Sequence, residues 1–109
     1  MNSWVVVTDA TQAIAVNTGY IGNRGTSITY TLPATAAVGD IIRITNIGAG
    51  FPIIAQNASQ LINVVDTATT TGVGGSLTGT EAYDSIELVC TVTNTTFNML
   101  SMSGNWTIV

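Results

Sequence analysis

Apolar and polar residues alternate along this chain in short runs broken by Gly, Asn and Pro. The clearest run is Ser27-Ile28-Thr29-Tyr30-Thr31-Leu32, an alternation stopped by Pro33. Ile41 to Asn46, Leu61 to Val65, Ser85 to Thr93 and Phe97 to Met102 read the same way. Period-two alternation of that length predicts strands with one buried and one solvated face. Trp4 to Thr8 and Ala13 to Val16 are two further strands, and Phe51 to Gln56 another. Pro52 has no N–H for a ladder, so the pattern places the start of that strand at an edge or a bulge. Trp106 to Val109 closes the chain as an apolar strand that is paired in a sheet or packed on a partner chain.

Between these runs lie turn signals. Gly39-Asp40 ends the connection from Pro33, Gly48-Ala49-Gly50 reverses the chain, and Asn57 to Gln60 and Gly104-Asn105 turn it again. Asn94-Thr95-Thr96 is a tight hairpin loop with Asn suited to a left-handed backbone. Asn17 to Thr26, with its Gly and Asn, reads as a loop. Asp66 to Gly75, rich in Thr and Gly, reads as a mobile loop or as an arm lying on a neighbouring chain. No stretch of a dozen residues has helical periodicity. Nine or ten short strands at spacings of about 8–12 residues predict one all-β domain over residues 1–109. The expected form is an antiparallel β-sandwich or jelly roll.

Composition narrows the chemistry. Of 109 residues, 46 % are hydrophobic and only 7 % charged, so Thr, Asn, Ser and Gly carry the surface. Thr is the commonest residue, and Ile and Val far outnumber Leu, which suits a pleated sheet. There is no His, which removes a histidine base, a histidine metal site and a Ser-His-Asp triad. A net charge of −4 with two Arg and no Lys argues against binding nucleic acid. No apolar run approaches the roughly 20 residues of a spanning helix, so no membrane insertion is expected. The start lacks the basic region of a secretory signal.

The remaining candidates are few. Glu81, Asp84 and Glu87 are the closest acids in sequence, and they read as solvated or turn-capping groups rather than a glycosidase pair. Gly72-Val73-Gly74-Gly75 lacks the Lys-Ser/Thr of a phosphate loop, and Asp66 lacks a calcium-loop spacing. Catalytic, cofactor and metal residues are therefore none. Cys90 is alone and reads as a buried thiol, in phase with Ile86, Leu88 and Val92. Arg43 points away from the face shared by Ile42 and Ile44. It should pair with an acid, on its own chain or across a symmetry axis. Trp4, Tyr20, Tyr30, Tyr83 and Trp106 can each stack on a sugar or fill the core.

Two segments carry a resemblance. The first is Thr31-Leu32-Pro33-Ala34-Thr35-Ala36-Ala37-Val38-Gly39-Asp40, then Gly48-Ala49-Gly50 and Ile54-Ala55-Gln56-Asn57-Ala58-Ser59-Gln60-Leu61-Ile62. The second is Thr69-Thr70-Thr71-Gly72, Gly74-Gly75-Ser76-Leu77, Tyr83 to Cys90, Asn94-Thr95 and Ser103 to Val109. Together, over about residues 28–109, they resemble a β-rich module of bacteriophage tail-fibre, tailspike and related virion receptor-binding proteins. The family commonly has Gly-Trp at Phe51-Pro52, Gly at Ser59 and Trp at Phe97. Phe51 and Phe97 keep aromatic character suited to core roles.

The resemblance implies a homotrimeric fibre part on the virion surface, with an intertwined trimeric β-prism or β-helix as the alternative architecture. The abundance of apolar residues agrees with a chain that shares its core or surface with copies of itself. The expected function is attachment to a host-cell surface receptor, a glycan above all, without enzymatic activity. The alternative is a structural trimerisation or capping module. The abrupt strand onset at Trp4 suggests a C-terminal fragment of a longer fibre protein, and the residues that contact a receptor are not marked in the sequence.

Overall fold

A computed structural model describes residues 3–109. They form twelve strands in two sheets. In chain order these are β1 (Trp4–Val7), β2 (Thr11–Ala13), β3 (Thr18–Gly22), β4 (Ile28–Thr31), β5 (Ile41–Asn46) and β6 (Pro52–Ala55). They continue as β7 (Leu61–Val64), β8 (Thr67–Ala68), β9 (Ser76–Gly79), β10 (Ser85–Val92), β11 (Thr96–Ser103) and β12 (Trp106–Ile108). The larger sheet runs β1-β3-β5-β10-β11-β7-β8 and the smaller β12-β9-β6-β4-β2.

The all-β class is as expected, but the pairing is mixed. The first six strands alternate between the sheets, so each returns to its own sheet by way of the other, like turns of a coil. Their ladders β1/β3, β3/β5, β2/β4 and β4/β6 are therefore parallel, as is β7/β11. Antiparallel pairing, predicted throughout, is confined to β5/β10, β10/β11, β6/β9, β9/β12 and β7/β8. Alternating polarity reports which face is wet, not which way the neighbour runs, so the sequence could not separate the two.

The inward positions of both sheets meet in one core. Ile42, Ile44, Ile62, Ile86, Leu88 and Phe97 from the larger sheet and Ile28, Tyr30, Ile54 and Leu77 from the smaller are all buried. Each such side chain contributes about 1.5–3 kcal/mol by leaving water. Tyr20 and Tyr30 meet with ring centroids 5.9 Å apart. Tyr20 Oη also accepts the Ala15 N–H at 2.7 Å. Cys90 lies in this core as expected, and burial holds its thiol pKa above the ordinary value. Val92 does not share its face: a bulge between Cys90 and Val92 turns Val92 out to solvent.

Several segments depart from the sequence reading. Asn17 to Thr26 is not all loop, because it contains β3, whose glycines admit neighbours that a Cβ would strike. A Cβ on Gly22 would meet Asn46 Oδ1, Tyr30 Oη and Ile28 Cδ1. The second strand lies at Thr11–Ala13, ahead of the predicted Ala13 to Val16. Ser76–Gly79, unassigned from sequence, is β9. Pro52 sits in an interior strand rather than at an edge. It is tolerated as the first residue, since β9 pairs with β6 only from Ile53 onward. Phe51 is exposed instead of packed, whereas Phe97 is in the core.

The Asp66–Gly75 segment is neither free nor an arm, being fastened to its own chain. After β8, Gln56 Nε2 donates to Thr70 O, Gly72 O and Gln60 O at 2.8–2.9 Å. Thr69 Oγ1 donates to Gln56 Oε1 and accepts the Ile62 N–H at 2.9 Å. Gln60, equally buried, bridges Pro33 O and Asn94 O. The final strand β12 pairs with β9, and Val109 exchanges backbone hydrogen bonds with Ser76. The chain end is thus sheet-bound.

Candidate functional site

The outward face of the larger sheet carries the candidate site. Register alone draws its residues into line. Trp4 pairs with Gly19, Gly19 with Arg43, Arg43 with Glu87 and Glu87 with Ser101, one residue from each of five adjacent strands. The next row outward holds Thr45, Ser85 and Ser103. Side chains of a row stand about 4.8 Å apart across the ladder.

Gly19 fixes the aromatic element. A Cβ built there would lie 2.5–2.6 Å from three atoms of the Trp4 six-membered ring. Near-equal distances to adjacent ring atoms place the ring face-down on the glycine, with its other face turned from the sheet. Trp4 is 46 % exposed, which is unusual for an indole in a strand. Beside it, Arg43 Nε donates to Glu87 Oε2. The remaining guanidinium N–H groups and Glu87 Oε1 have no protein partner among the described residues. Thr45 Oγ1 and Ser85 Oγ lie 2.7 Å apart. Trp4, Arg43, Thr45, Ser85, Glu87, Ser101, Met102 and Ser103 line an open groove of about 270 Å³. It offers one stacking face, one ion pair and several hydroxyls.

The other sequence candidates are accounted for by structure. Arg43 pairs with an acid as expected, Glu87 of its own chain. Arg24 closes its loop through Thr26 Oγ1 and Ser27 O and has no acidic partner among the described residues. Glu81, Asp84 and Glu87 do not converge. Asp84 is buried and accepts the Thr80 and Glu81 N–H groups at 2.7 and 3.0 Å, a turn-capping role, while Glu87 belongs to the groove. Asp40 likewise caps its turn, accepting the Ala37 N–H at 2.9 Å. Among the described residues no group of three acids or thiols could hold a metal.

Of the five stacking candidates, Tyr20, Tyr30 and Trp106 are core residues and only Trp4 and Tyr83 are exposed. Burial, with Tyr20 adding to it, pushes the Tyr30 phenol to about 12. Nothing in the sequence marks Gly19, Glu87 or the serines as binding residues. Their one sequence signal is phase: Arg43, Thr45, Ser85 and Glu87 all occupy outward positions of their strands. No family model and no curated protein matches the chain.

Proposed function

We propose that this chain is a domain of a virion fibre that attaches the particle to a host-cell surface glycan without catalysis. The observation that carries the reading is the Trp4 ring, set face-down on Gly19 at the end of a groove of hydroxyls and one ion pair. Sugar rings present an apolar face of C–H groups ringed by hydroxyls. An exposed indole flanked by polar groups on a rigid sheet suits that shape. The resemblance of residues 28–109 to tail-fibre modules supplies the viral and virion-surface context. A surface with so few charges binds through hydrogen bonds and stacking, which salt screens weakly.

A homotrimer belongs to the same reading. Val5, Val6, Val38, Ile47, Val65, Val73, Leu100 and Val109 are all exposed, apolar surface that contacts between copies of the chain would cover. The same observation favours a second reading, a structural trimerisation or capping module with receptor contact elsewhere in the fibre. Binding of the purified chain to host cells and to a glycan array separates the two. Saturable, salt-insensitive glycan binding is expected. Absence of any binding by a stable trimer would leave only the structural module, and sedimentation as a monomer at micromolar concentration would refute the trimer.

A further inference from the structure

We infer that the groove reads a vicinal diol on an uncharged saccharide, through Arg43 and Glu87 acting as one unit, and discriminates against acidic sugars. This rests on the glycan reading above. Among the described residues Arg43 is the one cation lining the groove, and its Nε is committed to Glu87 Oε2. The pair is neutral as a whole. Its free groups are complementary: guanidinium N–H donors lie beside an open carboxylate oxygen, Glu87 Oε1. Two adjacent sugar hydroxyls fit that edge, one accepting from Arg43 while the other donates to Glu87.

The spacing agrees. Gly19, under the Trp4 ring, and Arg43 are neighbours in the ladder, and Glu87 is next. A ring stacked on Trp4 therefore places its hydroxyls, or those of the next residue, about 5–10 Å along the row, where the pair stands. The remaining polar lining, Thr45, Ser85, Ser101 and Ser103, is uncharged. A sialic or uronic carboxylate reaching the free Nη groups of Arg43 would lie beside Glu87, whose negative charge already offsets the guanidinium. The other cation of the chain, Arg24, is held in a separate loop by Thr26 and Ser27. Like charges brought together in a binding site cost enough to separate ligands by at least about tenfold.

The test uses the full chain against immobilised neutral di- to tetrasaccharides of hexose and N-acetylhexosamine, and against their sialylated and uronate-bearing counterparts. Wild type should bind neutral members at least about tenfold more tightly than acidic ones. Periodate oxidation of the vicinal diols should abolish that binding. Glu87→Gln, nearly isosteric and on the outer face, should weaken neutral binding and shift preference toward the acidic members, because Arg43 is then free for a carboxylate. Unchanged circular dichroism and melting temperature would show that the variant folds. Binding confined to acidic glycans, survival after periodate, or an unshifted preference in Glu87→Gln would overturn the inference while leaving glycan attachment intact. No binding to any member would overturn both.

Discussion

The indole of Trp4 rests face-down on Gly19, the residue opposite it in the parallel β1/β3 ladder. No other residue type leaves room for that contact. Gly19→Ala places a methyl group where ring atoms now lie, so the indole must swing off the sheet. Because Trp4 is half exposed on an edge strand, stability should change by less than about 1 kcal/mol. Trp106 is buried, so a rise in acrylamide quenching of tryptophan fluorescence reports the displaced Trp4. Unchanged quenching would mean that the glycine does not seat the ring.

Gln56 should matter more than any surface group. Its amide satisfies Gln60 O, Thr70 O and Gly72 O and receives Thr69 Oγ1, all in or next to the core. Gln56→Ala leaves Thr70 O and the Thr69 hydroxyl proton without these partners, while Gln60 O and Gly72 O keep the Gly72 and Gly75 N–H groups. A loss of about 1–3 kcal/mol in denaturant unfolding is expected. Hydrogen exchange should quicken first across residues 69–75. Retained protection there would show that the segment is held by something else.

Burial that reads plainly from sequence at Ile42, Ile44, Leu88 and Phe97 does so because those positions alternate with wet ones. Residues such as Gln56 and Gln60 are invisible to that test. They are polar, yet buried because backbone carbonyls from distant loops converge on them. β3 was hidden by its own glycines, which ordinarily signal a loop and here make room for Trp4, Asn46 and Tyr30. Strand direction was equally unreadable, since it is decided by the path through the second sheet. The groove shares that fate: Trp4, Arg43 and Glu87 are joined only by register across β1, β3, β5 and β10.

Alkaline pH should unfold the domain through Tyr30. Its phenol ionises near 12 in the fold against 10.0 ordinarily, because burial disfavours the phenolate. Below pH 10 both states hold the proton and stability is intact. Between about 10 and 12 only the unfolded chain releases it, so stability falls as pH rises. Tyr30→Phe should flatten this decline in urea midpoints measured from pH 9 to 12. An equally steep decline in the variant would assign it to other groups.

Val65 sits at the tip of the β7–β8 hairpin with φ +56 and its side chain exposed. A β-branched residue in the left-handed region costs about 1–2 kcal/mol. Val65→Gly or Val65→Asn should therefore raise stability by about 1 kcal/mol, seen as a higher melting temperature. A lower one would show that the valine side chain contributes contacts outweighing its strain.

Glycan binding by the purified chain and by Trp4→Ala tests the account most directly. Wild type should bind host-surface oligosaccharides saturably. Trp4→Ala, with native circular dichroism, should bind at least about tenfold more weakly, the loss expected for one stacking face. Equal affinity in the two proteins would contradict the account.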